Sequence, residues 1–528
     1  MEDFFIMLKA IAVSIALGAA MVMSQSTSSL AHEKTLRVSM LYDLNLIDPY
    51  AQTGYLPRYL GFMAYDTLFS IDSKGNIAPQ VADSWSLSPD KLVHTIKIRT
   101  GLKFHDGSPV TAADVAASVK RALQRNRFIH FASLVTSVDI VDDQTFSFTL
   151  SREFKILDYL ANIHTPTFIM PKADAELPIT QSISKVNGSG PFIFRHDLWK
   201  PGSRAIFDKN TAYSPRSEAP DFMSGGKHVN VDRVEWVYIA DKRTAVSALK
   251  KGEIDWIVSV QPEYIADLKK SQGVEVAVFD DSGFDAVLRM NMTQPPFDNV
   301  KIRQAVMATV DQEEYLGLAI GDPEYYKVCA SYLVCRSPWA VEMPGATLRK
   351  KDLPLARKLL KEGGYKGEKI VILDAQDIPS IHQYALITAQ NLRSIGMNVE
   401  IRPTDQATLL TSRARRTPPT EGGWSIFHAA SAGLTVDTIV KNHYLWMNPQ
   451  RAFFGWPDNP EMEKLRIDFS FATDDKVAHE INRKFHELAW TYVPHIPIGN
   501  TFEASAYRTN IKGIIKSEVP TFWNLTKD

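Results

Sequence analysis

The chain has 528 residues, enough for two or three domains with sizeable cores. It is 45% hydrophobic and 23% charged, with Lys+Arg 59 against Asp+Glu 60 and a formal net charge of −1. That balance is ordinary for a globular protein and gives no general attraction to nucleic acid or to an anionic membrane.

The N-terminus departs from this average. After Lys9 the run AIAVSIALGAAMVM, Ala10 to Met23, has fourteen residues without charge, and Ser29-Leu30-Ala31 forms a small-x-small cleavage site. The pattern predicts a signal peptide over 1–31, with His32 as the first mature residue. The apolar run falls short of the roughly 20 residues that a membrane span requires. Glu2 and Asp3 stand where a signal peptide is usually positive, whereas a start at Met7 gives the conventional MLK before the apolar run. Cleavage leaves 58 acidic and 58 basic residues. No cysteine adjoins the cleavage site, so the expected product is a protein without a lipid anchor, located in a periplasm.

Downstream, TLRVSML (Thr35 to Leu41), HTIKIR (His94 to Arg99) and TFSFTL (Thr145 to Leu150) alternate apolar and polar residues as strands do. Thr111 with Asp114 three residues on predicts a capped helix, with Val115, Val119, Ala122 and Leu123 on one face. Asp311 with Glu314 predicts a second helix start. VEWVYI (Val234 to Ile239) is followed by the helical DKRTAVSALKKG (Asp241 to Gly252), so the chain reads as mixed α/β without internal repeats. NGSGPF (Asn187 to Phe192), QPPFDN (Gln294 to Asn299) and RTPPTEGG (Arg416 to Gly423) are joints that serve equally as domain crossings or surface turns. Cys329 and Cys335 are the only cysteines; in an oxidising compartment their spacing predicts a local disulfide, the alternative being two buried thiols.

Catalytic signatures are weak. Gly188-Ser189-Gly190 lacks the spacing of a nucleophile elbow. His486-Glu487 is followed by Trp490 where a zincin needs its second histidine. His105-Asp106-Gly107 reads as a turn. No phosphate-cradling glycine loop occurs, and the thirteen histidines form no ligand cluster, so neither a metal nor another cofactor is expected. The aromatics Tyr55, Tyr59, Tyr65, Trp199, Trp256, Trp424, Phe427, Trp446, Trp456 and Trp523 are candidates for a ligand cleft, with core packing as the competing use of each.

The stretch VADSWSLSPDKLVHTIKIRTGLKFHDGSPVTAADVAASVKRAL resembles the signature region of the family 5 extracellular solute-binding proteins, which serve ABC importers of peptides, nickel and some sugars or opines. NGSGPF, ALKKGEIDW, MNMTQPPFDNVKIRQAVMATVDQEE, ARKLLKEGGY and VPHIPIGN extend the resemblance in order from about Leu36 to Trp523. It implies an α/β, two-lobed periplasmic binding protein fold of the cluster C type, with an extra subdomain inserted in the first lobe. Lobe I would hold 32–65, 186–290 and 498–528, with the insert at 66–185 and lobe II at 291–497. The resemblance implies a non-enzymatic, monomeric clamp for a small molecule or peptide, docking on two transmembrane permease subunits driven by two ATP-binding subunits. Peptides are the expected cargo, with an opine-like or sugar conjugate as the alternative and an exported hydrolase or a chaperone-like surface role as rivals.

Peptide-binding relatives follow the tryptophan of a motif resembling Gly423-Trp424 with an aspartate that pairs with the peptide's ammonium. Here Phe427 stands at that position, with His428 and Ser431 as the nearest polar groups and Asp437 further on. The resemblance implies Trp424, Phe427 and His428 as cleft wall, Arg413 (near Arg415 and Arg416) as an anion anchor, and Tyr55 or Tyr59 as the contribution of lobe I. N-terminal sequencing of the exported protein is expected to begin at His32, and peptide mapping of the precursor to contain nothing from residues 1–6; a mature chain retaining Ala10 to Met23 would contradict the signal peptide.

Overall fold

The computed structural model describes residues 34–50, 55–124, 132–163, 166–178, 180–343 and 348–528. The expected signal peptide and both candidate start methionines lie outside the described residues.

Three sheets organise the chain. The first has seven strands in the order Val274–Val278, Ala504–Arg508, Trp256–Val260, Thr35–Ser39, Arg233–Val237, Arg204–Lys209 and Phe192–Phe194. Its centre is parallel, with Thr35–Ser39 between Arg233–Val237 and Trp256–Val260, and its flanks are antiparallel. The second has six strands in the order Tyr326–Lys327, Ile496–Thr501, Phe284–Met290, Ile426–Ala432, Lys369–Ala375 and Asn398–Thr404. These two sheets are the cores of two lobes. The third is a four-stranded antiparallel sheet, Ala82–Leu87, Val93–Ile98, Thr145–Leu150 and Val135–Asp142, belonging to the insert.

The local signals behave as their chemistry requires. Thr111 caps the helix Ala112–Leu123: its hydroxyl accepts from Asp114 N, and Asp114 Oδ2 accepts from Thr111 N at 2.9 Å. Val115, Val119, Ala122 and Leu123 are buried on one face. Asp311 caps Gln312–Ala319 by accepting from the amides of Glu313 and Glu314. His105-Asp106-Gly107 is a turn, with Gly107 at φ 89° and Asp106 accepting from Ser108. Cys329 and Cys335 are bonded to each other.

The chain passes between the two large sheets twice, at 279–283 and at 502–503. The first crossing lies earlier than the expected boundary at 290. Phe284–Met290 pairs along its length with Ile426–Ala432 and with Ile496–Thr501, so it belongs to the second lobe. The alternation around it gave no sign of which sheet would claim it. For the same reason the return crossing follows Thr501 rather than Pro497.

Two contacts fix the gap between the lobes. The helix Tyr55–Ala64 is seated by the Asn187–Gly190 loop, where Gly190 N donates to Ala64 O at 2.9 Å. A Cβ on Gly188 would stand 1.8 Å from Ala64 O, so only glycine permits this approach. On the far side the insert reaches lobe II directly: Phe154 meets Phe471 edge-on at 5.7 Å, and Arg152 lies 3.5 Å over the same ring. Thr111→Ala is expected to cost about 1 kcal/mol in a denaturant titration while leaving ligand affinity unchanged, because its cap is remote from the gap.

Candidate ligand-binding site

The first cavity lies where the chain crosses between lobes. The helix Tyr55–Ala64 presents Tyr55 and Tyr59 one turn apart, with ring centroids 6.2 Å from each other. Tyr55 also meets Phe284 of lobe II edge-on at 6.4 Å, so one residue touches both lobes. Arg58 lies 5.1 Å and 5.7 Å from the two tyrosine rings and pairs with Glu518 at 3.2 Å. With Phe284, Trp256 and Phe279 the two tyrosines wall a cavity of about 50 Å³.

Carboxyl groups from both crossings line that cavity: Asp280 from the first and Glu503 from the second. Asp280 Oδ1 accepts from the amide and hydroxyl of Ser282 at 2.9 and 2.6 Å. Burial, reinforced by the neighbouring Glu518, lifts its pKa to about 7. Glu503 keeps water-accessible surface at the cavity mouth, yet the protein packed around it also holds its carboxyl above the usual range.

A second cavity, of about 350 Å³, separates the insert from lobe II. Lys155, Asp158 and Tyr159 line it from the insert, and Trp339, Asp437 and Lys441 from lobe II. Asp437 is committed to Lys441 at 3.1 Å, and burial raises the pKa of Asp158. Among the described residues, no group of three or more histidine, cysteine or acidic side chains is placed to hold a metal ion. His486 is buried with Nδ1 on Asn482 O, whereas Glu487 points outward to Arg483, so they form no paired centre.

Two lobes, two crossings and cavities in the gap form the frame of a solute clamp, and the comparisons agree. The profile described as "Bacterial extracellular solute-binding proteins, family 5 Middle" matches residues 76–452. This chain belongs to that family. A Sinorhizobium fredii relative, named probable peptide ABC transporter periplasmic-binding protein y4tO, is 37% identical over 507 residues, covering 95% of both chains. The glutathione-binding protein GsiB of Escherichia coli K12 is 22% identical over 522 residues, 94% of this chain and 95% of its own. Among solved structures, DppA from Helicobacter pylori in complex with peptide STSA aligns with TM-score 0.76 at 21% identity, over 93% of this chain and 98% of its own. The PBP AgaA from A. tumefaciens R10, in complex with agropinic acid, aligns with TM-score 0.76 at 22% identity, over 94% and 99%. At these identities the structural matches speak for the two-lobed fold.

In this family 5 solute-binding protein the residues expected from sequence fall into two groups. Tyr55 and Tyr59 line the crossing cavity. Trp424, Phe427 and His428 lie inside lobe II, at 1%, 0% and 1% exposure. Trp424 Nε1 donates to Arg413 O at 3.1 Å, and its ring packs on Phe427 at 4.9 Å and Trp456 at 6.0 Å. Successive strand residues face opposite ways, so His428 turns from Phe427 toward the helix Pro379–Ser394, its Nε2 2.8 Å from Thr388 Oγ1. Burial pulls its pKa down to about 3, leaving the ring neutral. Arg413 lies over the rings of Phe454 at 4.6 Å and Phe453 at 5.1 Å, so an aromatic bed occupies its guanidinium. These four residues therefore do not make one cleft wall. The run around Trp424 lacks charge because it is a core strand flanked by turns, and an aspartate in place of Phe427 would enter that apolar layer.

The acidic crossing residues Asp280 and Glu503 escaped notice because DDSG and FEAS read as ordinary turns; only the topology brings them together. Trp424→Ala is expected to destabilise the protein by about 3–5 kcal/mol, seen as a lowered unfolding temperature, with ligand affinity retained below the transition. Lost affinity at unchanged unfolding temperature would instead place Trp424 on the ligand.

Asp280 makes stability pH-dependent. Its folded-state pKa of about 7 lies above the unfolded value, so its contribution is fully present below about pH 4 and is lost as pH rises towards 7. Glu503 and Glu518 line the same cavity, and Arg58 pairs with Glu518. Asp280→Asn is expected to match wild type at pH 4 and to gain on it in thermal melts as pH rises to 7; a constant difference would contradict the shift.

Proposed function

We propose that this solute-binding protein is the periplasmic receptor of an ABC importer for peptides, closing its lobes on cargo and docking on two permease subunits served by two ATP-binding subunits. The observation that carries the reading is the 37% identity, across 95% of both chains, to a relative named as a peptide ABC transporter periplasmic-binding protein. The geometry supports the same reading. The two cavities lie between structural units joined by only two crossings, so a ligand touching both sides stabilises the closed arrangement by its differential affinity. No helix among the described residues is long and apolar enough to cross a membrane. The protein performs no chemistry on its cargo in this reading.

A second reading keeps the role and changes the cargo. The AgaA structure in complex with agropinic acid, with which this chain aligns, makes an opine-like or sugar conjugate the alternative cargo. Thermal-shift titration of ligand-stripped protein separates the two. Di- and tripeptides at 100 times Kd are expected to stabilise the fold by about 2.7 kcal/mol, whereas opines and sugar conjugates leave it unmoved. Stabilisation by conjugates alone would overturn the peptide assignment.

A further inference from the structure

We infer that the crossing cavity is the ammonium subsite: it receives the N-terminal end of a peptide, with Asp280 and Glu503 as counter-charges and the rings of Tyr55, Tyr59 and Trp256 as walls. This rests on the peptide reading above and adds to it the residues that fix the ligand's orientation.

Charge comes first. The lining holds three carboxyl groups, Asp280, Glu503 and Glu518, and no lysine, arginine or histidine. Arg58 reaches in from behind the tyrosines, but it pairs with Glu518. Asp280, whose Oδ2 is buried, has no such cationic partner in the cavity wall, and Glu503 at the mouth keeps its contact with water. A carboxyl removed from water without a counter-charge is costly, and a ligand cation removes that cost.

Hydrogen bonding gives an independent indication. Asp280 Oδ2 is buried and accepts from nothing, and Trp256 Nε1, on a side chain 1% exposed, donates to nothing. The residues that carry this orphan acceptor and this orphan donor both line the same small space. The terminal residue of a peptide carries the matching pair, an ammonium that donates and, on the same residue, a carbonyl that accepts. Each orphan costs about 1–3 kcal/mol until it is satisfied.

Shape and ring chemistry narrow the ligand further. A cavity of about 50 Å³ exceeds the roughly 10–15 Å³ that one water needs on this measure and is too small for a whole peptide. It admits the tip of a chain. Aromatic faces attract cations, and Tyr55, Tyr59 and Trp256 are among the lining residues.

Position supplies the mechanism. Asp280 and Glu503 lie on the two separate crossings, so a cation between them draws on both hinge segments at once. Binding at this point bears on the lobe equilibrium more directly than an equal contact elsewhere on either lobe.

Isothermal titration of ligand-stripped protein with trialanine and with N-acetyl-trialanine tests the assignment on wild type, Asp280→Asn and Trp256→Phe. Loss of a charge-assisted contact is expected to weaken trialanine about tenfold or more in Asp280→Asn, and acetylation to weaken binding to wild type by a similar factor. Asp280→Asn should then leave the acetylated peptide's affinity within about threefold, since the cation is already absent. Trp256→Phe, which keeps the ring and removes the N–H, should weaken trialanine by a smaller factor. Thermal melts establish that each variant is folded, and Glu503→Gln, at the cavity mouth, stands in for any that is not. Wild type and the Asp280 and Glu503 variants binding trialanine equally would overturn the subsite while leaving the peptide reading intact. Wild type binding neither form would remove the peptide reading and the subsite with it.

Discussion

A carboxyl group taken out of water must find a cation, bind a proton or leave the fold less stable, and this protein concentrates that constraint at its hinge. Asp280 and Glu503 come from the two crossings, and Glu518 from the C-terminal segment that folds back on lobe I. One arginine, Arg58, serves the third of them. On the proposed reading, this imbalance links protons, a ligand cation and lobe position at the crossings.

Several otherwise separate features take on a common purpose from this point of view. The close approach of Gly188 and Gly190 to Ala64 seats the helix that carries Tyr55, Arg58 and Tyr59. Tyr59 donates to Glu518 O at 3.4 Å, tying that helix to the C-terminal return. Trp256 belongs to a strand beside the centre of the lobe I sheet, and Phe284 opens a central strand of the lobe II sheet, so the cavity walls are anchored in the sheets of both lobes. On the opposite flank, the insert meets lobe II through the contact of Phe154 with Phe471.

How far the sequence disclosed this differs from residue to residue. The caps at Thr111 and Asp311 and the turn at Asp106-Gly107 were legible because each depends on a few neighbours in the chain. The bonded pair Cys329 and Cys335 was one of two readings left open by spacing alone. The crossing before Phe284 was not legible, since alternation marks a strand without naming its partners. Trp424 and Phe427 misled for a related reason: an aromatic run beside glycines suits a cleft wall or a core strand equally, and here tertiary packing makes it core. Asp280 and Glu503 lie 223 positions apart, and nothing local to either reveals the other.

The clamp across two crossings is the central claim, and small-angle X-ray scattering of the same preparation, stripped of ligand and then saturated with a peptide it binds, tests it most directly. Closure of one lobe on the other predicts a smaller radius of gyration and a shorter maximum dimension in the saturated sample. Superimposable scattering curves, with binding verified in the same solution, would contradict it.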